Sequence, residues 1–291
     1  MKFILVFCLF FFAIGSELMI TQNYLEDLKS RVDWEVVDYE DSPFRGWTID
    51  ELKSLLTPSE VDPLDIPIKA SDVEVKDIDW SKDDRCIHGV RNQGNCGSSW
   101  AISVAGMLSD HCCMKKGRDY GWLSPQEIIS CDATSYGCAG GYIKNAIDYV
   151  VSKGLVTEDC FPYSADNRNC PQECINRGVW EDSHLCKCRN LISCKGYEDM
   201  LKCIHNGPIS TTLRVYQDLY YYKSGIYEWD RRGSTLGTQS VRCYGYSSQP
   251  KPHWMCINSW GTSWGEQGHF KIATGECGIE TIGPAYCEPR D

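Results

Sequence analysis

Apolar positions along this chain follow three spacings in turn. An unbroken apolar run, Phe3 to Ile14, follows Lys2 and ends at the small pair Gly15-Ser16. Between residues 49 and 154 the spacing is three and four. Ile49, Leu52, Leu55 and Leu56 form one stripe, Ala101, Val104, Ala105, Leu108 and Cys112 a second, and Ile143, Ala146, Ile147 and Val150 a third. Each is one face of an amphipathic helix, since residues three and four apart share a side of a 3.6-residue turn. After residue 208 come short β-branched and aromatic runs separated by Gly, Pro and Ser: Ile209 to Val215, Ser240 to Tyr246, His253 to Ile257, His269 to Ala273 and Ile282 to Tyr286. These predict strands. Helices first and strands second predict an α+β protein of two lobes with a cleft between them.

Boundary residues sharpen these elements. Thr48-Ile49-Asp50-Glu51 is a capping box, with Thr48 as N-cap and Glu51 at the third helical position, and Thr57-Pro58 ends that helix. Ser124-Pro125-Gln126-Glu127 starts another, with the proline where its missing N–H is harmless. Gly154 stops the third stripe. The opening run, residues 1–16, is too short to cross a bilayer and fits a secretory signal peptide; no later stretch predicts a membrane span. The expected location is the secretory pathway, ending outside the cell or in a lysosome- or vacuole-like compartment.

Charge divides the chain again. Residues 17–79 hold 17 acidic and 6 basic residues, whereas 80–291 are almost balanced at 23 and 22. Neither part has the basic excess that would meet phosphates, so nucleic acid is not an expected partner. Of 18 cysteines, 17 fall between Cys86 and Cys287, which in a secreted chain means a disulfide framework with one thiol left over. No paired C-x-x-C sets stand at metal-ligand spacing, so no metal is expected, and nothing calls for a cofactor. The cysteine-rich stretch Cys160 to Cys203 reads as a stapled surface loop without regular structure.

The chemistry concentrates in Gln93-Gly94-Asn95-Cys96-Gly97-Ser98-Ser99-Trp100-Ala101. The second stripe begins here, so Ser98 and Ser99 lie in a helix's first turn, beside unpaired N–H groups and the positive dipole end. A cysteine there would become a thiolate nucleophile. This chain has a hydroxyl instead. Six residues upstream, Gln93 carries an amide able to donate to a developing oxyanion.

This run resembles the active-site segment of papain-like cysteine peptidases, whose signature is C-G-[SA]-C-[WY], with Ser99 in the nucleophile's place. The resemblance implies the papain-like two-lobe fold over residues 80–291. Trp80 to His88 and the stretch Phe44 to Thr48 with Leu52 to Leu56 are similar to cathepsin B-type enzymes, which implies that residues 17–79 are a pro-segment and connector lying across the cleft. It further implies disulfides Cys86–Cys113, Cys96–Cys138 and Cys131–Cys170, with Cys112 an additional, buried thiol. Gly140 and Gly141 match the turn that walls the cleft and lets an extended peptide approach; Ala139 stands where the family has Asn. Asn258, in Asn258-Ser259-Trp260-Gly261, matches the asparagine that orients the catalytic imidazole, with Trp260 as its shield, and Ile282 matches the floor of the main specificity pocket. Gln239 occupies the base histidine's position. In the region of the occluding loop only His184 is present, without the adjacent partner that binds a substrate's C-terminal carboxylate.

A serine without a base is not a nucleophile at working pH, and a glutamine cannot shuttle protons. The residues therefore predict a cathepsin B-like homologue that binds a peptide or protein ligand, and its own pro-segment, without cutting. The alternatives are a papain-family hydrolase using Ser99 and a structural or matrix component with a vestigial cleft. Acidification is expected to loosen the pro-segment by neutralising its carboxylates.

Overall fold

The computed structural model describes residues 21–57, 76–82, 85–175 and 186–290; residues 1–16, most of the connector and His184 lie outside these. The chain enters through helix α1 (Gln22–Lys29), a short strand β1 (Glu35–Val36) and helix α2 (Ile49–Lys53). At α2 both halves of the capping box form. Thr48 Oγ1 accepts from Glu51 N (3.2 Å), and Glu51 Oε2 accepts from Thr48 N (2.7 Å). The helix is shorter than its stripe suggests. It ends at Lys53, so Leu55 and Leu56 leave it and are buried elsewhere.

Strand β2 (Ile78–Asp79) leads to helices α3 (Ser99–Lys116), α4 (Pro125–Cys131) and α5 (Ile143–Lys153). Ser124 caps α4 and Gly154 closes α5, both as expected. Helix α3 departs from its one-sided pattern. Every residue from Ser99 to Cys113 is buried, because the helix runs between α4 and α5 on one side and the sheet on the other. Its polar side chains are satisfied internally: Ser109 Oγ donates to Ala105 O (2.7 Å) and His111 Nε2 to Pro208 O (2.7 Å). Buried polar groups with partners cost little, so a helix that looks amphipathic can be central.

Strand β3 (Cys188–Ser193) and helix α6 (Tyr197–Ile204) follow, then β4 (Ile209–Val215), β5 (Tyr222–Ser224), β6 (Ile226–Tyr227), β7 (Gly237–Ser247), β8 (His253–Ile257), β9 (His269–Ala273) and β10 (Ile282–Pro289). The main sheet runs β3-β10-β4-β7-β8-β9-β6, with β2 also pairing with β7. The fold is α+β, with a helical and a sheet-rich lobe. The region between Cys160 and Cys203 corrects the expectation of an irregular loop, since β3 and α6 lie within it. Strand β3 gains its place by pairing with β10, a long-range contact that local apolar pattern does not announce.

All three expected disulfides form, Cys86–Cys113, Cys96–Cys138 and Cys131–Cys170. Cys112 corrects the expectation of a buried thiol: it is bonded to Cys186, two residues before β3. Four more bridges join Cys160–Cys174, Cys188–Cys287, Cys194–Cys203 and Cys243–Cys256. Among described residues the free thiol is Cys277, buried beside Tyr227, where burial pushes it up well above the ordinary range. No cysteine lies between Cys8 and Cys86, so no bridge ties residues 21–57 to the rest.

That N-terminal segment is held by packing. Leu25, Leu28, Trp34, Phe44, Leu52 and Leu55 belong to the same core as Trp100 and Tyr220. Trp34 lies against Tyr222 and Tyr227, Tyr24 edge-on to Tyr221, and Phe44 edge-on to Tyr220. Strand β1 pairs with β5, and Val37 N donates to Tyr221 O (2.8 Å). Each such large apolar side chain contributes about 1.5–3 kcal/mol on burial, an upper figure since unfolded chains already bury some surface. The tyrosine run at 220–222 is thus the segment's docking platform.

Candidate functional site

Ser99 is the first residue of α3 and is fully buried. Its neighbour Ser98, the N-cap, does not cap; its hydroxyl pairs with Tyr163 Oη (2.6 Å), which also donates to Gln93 O (2.6 Å). Burial pushes the Tyr163 phenol up to about 12, so it stays protonated and serves as a strut. Ser99 Oγ accepts from Ser240 N (3.1 Å). Among the described residues no proton acceptor is paired with its hydroxyl.

Gln239 lies in β7 directly before Ser240, and its side chain is fully buried. Its Nε2 is 2.8 Å from Asn258 Oδ1, 3.0 Å from Gln93 Oε1 and 3.1 Å from Ser259 Oγ. Ser259 Oγ donates to Gln93 Oε1 (2.7 Å), and Gln93 Nε2 donates to Cys96 O (2.8 Å) and Leu55 O (2.6 Å). The structure therefore brings Gln93, Gln239 and Asn258 into one hydrogen-bonded group, with Ser99 beside it. Ser259 and Leu55 were not foreseen. Ser259 adjoins Asn258 in the recognised motif, and a hydroxyl next to an orienting amide was the available signal. Leu55 carried none, because its backbone oxygen does the work.

The five described histidines all turn elsewhere. His253 bonds Lys251 O, His269 faces Tyr244 Oη, His205 bonds Leu201 O and His111 bonds Pro208 O. His88 sits in a buried charge cluster. Its Nδ1 is 2.8 Å from Asp110 Oδ1 and its Nε2 3.0 Å from Asp119 Oδ1, while Arg242 Nη1 is 3.0 Å from Asp110 Oδ2 and Nη2 donates to His88 O. Burial alone would pull the imidazole down, but Asp110 and Asp119 outweigh it and raise it. Burial lowers the Arg242 guanidinium, which lies over the Trp122 ring at 5.2 Å. This pair ties α3 to β7 behind Gln239.

The residues expected at the cleft walls are placed as follows. Gly140 adopts φ +118°, a conformation that favours glycine, and follows the Cys96–Cys138 bridge. Gly141 has a different reason from the one expected: a Cβ there would stand 2.5 Å from the Trp100 ring, so its space is taken by the protein's own indole. Trp260 stacks on Tyr220 at 4.7 Å and meets Phe44 edge-on. Ile282 is buried at the start of β10, paired with Thr212 and packed by Gly278. Among the described residues no His, Cys, Asp and Glu group could hold a metal.

The cleft is occupied by the chain itself. Beyond Leu55, the Leu56 side chain packs against Gly237, and Thr57 pairs with Thr238 through Thr57 N to Thr238 O (3.0 Å) and Thr238 N to Thr57 O (2.9 Å). Residues 55–57 thus lie between Gly97, just before α3, and the start of β7.

Comparison with known proteins agrees with this architecture. Residues 75–285 match the family described as papain family cysteine protease. A cathepsin B-like CP3 of Giardia intestinalis is 33% identical over 258 residues, taking in 81% of this chain and 84% of that protein. A gut-specific cysteine proteinase of Caenorhabditis elegans is 34% identical, over 66% of each chain. Among solved structures, procathepsin B S9 of Trypanosoma congolense superposes with a TM-score of 0.83 at 26% identity, covering 94% of this chain and 100% of that one. No described helix is long and apolar enough to cross a membrane.

Proposed function

From the premise that the chain belongs to the papain family of cysteine proteases and is a cathepsin B-like homologue, we propose that it holds extended peptide in its cleft without hydrolysing it. The observation carrying this reading is the pair Ser99 and Gln239. The hydroxyl has lost the thiol's acidity, and the residue beside it is an amide that can neither take nor return a proton. Removing triad members leaves a protease only about 10³ to 10⁴ over the uncatalysed rate, from binding and the oxyanion donors. Residues 21–57 act as the pro-segment and first occupant; entry of the chain into the secretory pathway belongs to the same proposal. Gly140, Gly141, Trp260 and Ile282 are assigned to the cleft.

The test is peptide hydrolysis by the purified protein before and after removal of residues 21–57, with Ser99→Ala prepared in parallel. No turnover and no labelling of position 99 by thiol-directed epoxides are expected. Turnover that disappears in Ser99→Ala overturns the proposal and favours a serine-based hydrolase.

A further inference from the structure

We infer that Gln239 is a positioning residue that fixes the Gln93 amide as a clamp for a backbone carbonyl, so that the disarmed site keeps the chain's own Leu55–Thr57 segment seated. The inference rests on the reading that the site does not cut. It begins with what a glutamine supplies here and a histidine cannot. The Gln239 amide nitrogen carries two hydrogens and lies within 3.1 Å of three acceptors, Asn258 Oδ1, Gln93 Oε1 and Ser259 Oγ. A neutral imidazole has one N–H. Spent on Asn258, it would leave nothing but a lone pair to face the Gln93 oxygen.

The second step concerns Gln93. Its Oε1 accepts from both Gln239 and Ser259, which fixes which end of the amide is oxygen. Its nitrogen must then point the other way, where it donates to Cys96 O in its own loop and to Leu55 O of the segment. Turning the Gln239 amide over would set its oxygen against two carbonyl oxygens. The observed orientation leaves Gln239 Oε1 buried without a partner, so the contacts on the nitrogen outweigh that loss. The result is one unbroken line of hydrogen bonds from Asn258 through Gln239 and Gln93 to Leu55.

The occupant's chemistry follows. The clamp takes a main-chain carbonyl. The next residue must be aliphatic, since Leu56 packs on Gly237, and the one after must run antiparallel to Thr238, as Thr57 does. The ligand class is an extended aliphatic segment, and the chain carries one in place.

Amide hydrogen exchange on the full chain tests this. The Thr57 N–H, bonded to Thr238 O, reports seating of the clamped end; the Val37 N–H, bonded to Tyr221 O, reports the outer half of the segment. Gln239→Glu keeps the shape and removes both hydrogens, and Gln239→His keeps at most one toward Gln93. Both are expected to speed Thr57 exchange about tenfold, as loss of one or two ordinary hydrogen bonds implies, while Val37 and the β7–β8 amides keep their rates. Ser259→Ala, which removes only the second donor to Gln93 Oε1, should give a smaller rise in the same place and serves if a position-239 variant fails to fold. Unchanged Thr57 exchange, or an equal rise at every amide, overturns the inference. Hydrolysis by the unaltered protein overturns the reading beneath it and leaves these exchange ratios to be judged separately.

Discussion

Gln239 and Asp110 show how much one buried side chain decides here. Asp110 is fully buried and neutralises Arg242 while bonding His88. Removing one member of such a pair leaves an uncompensated charge, so Asp110→Ala is expected to cost about 3–5 kcal/mol by chemical denaturation. Protonation acts through several groups. Burial pushes the Asp218 carboxyl up to about 6, above its unfolded value, so the folded state gains stability as pH falls through 6. His88 is raised, so its contribution is complete below its unfolded pKa of about 6.5 and is lost as pH rises through the higher folded value. Glu35, Asp38 and Glu51 are lowered by their hydrogen bonds to Lys223, Lys29 and Thr48, so their contribution disappears only below the usual carboxylate range. Burial lowers His111 and His269, so these two groups oppose the gain as pH falls through their unfolded value of about 6.5. Asp218→Asn should flatten the profile between about pH 4 and 6, and His88→Gln above about pH 6.5. Mild acid accordingly leaves those three carboxylates charged.

At the scale of elements, α2 is the piece that delivers Leu55 to the site, and its start depends on Thr48. Thr48→Ala should cost about 1 kcal/mol, read as faster amide exchange across residues 49–57 with the β7–β8 amides unchanged. The elements themselves were legible where one pattern dominated. Strands β4, β8 and β9 fall on their predicted bounds because alternating β-branched and aromatic runs end at clear breakers. The extent of α3's burial was not legible, because Ser109, Asp110 and His111 read as a solvent face until their partners on other elements are known. β3 was missed because Cys188 to Ser193 is partly exposed and reaches its place through pairing with β10. Of the site, Gln93, Ser99, Gln239 and Asn258 were legible through the resemblance of their motifs to the family's, whereas Leu55 and Thr57 act through backbone atoms that every sequence possesses. Leu55 and Leu56 fit the helical stripe, yet the chain breaks before them and spends them on the cleft.

At the scale of the molecule, residues 21–57 and the two lobes share one apolar core and one aromatic platform. Unfolding followed by far-ultraviolet circular dichroism and by tryptophan fluorescence is expected to give coincident transitions, since Trp34 and Trp47 report the segment and Trp254 and Trp264 the sheet-rich lobe; separate midpoints would show an independent segment. The described disulfides all lie between Cys86 and Cys287, and the segment has no cysteine. The only covalent link from Thr57 to Lys76 is the main chain between them. While it is intact, the tether presents the segment to its cleft at an effective concentration of about millimolar order. A single peptide-bond cut there turns a concentration-independent closure into an ordinary two-body equilibrium, so occupancy would fall on dilution, with no reductant needed and no disulfide disturbed.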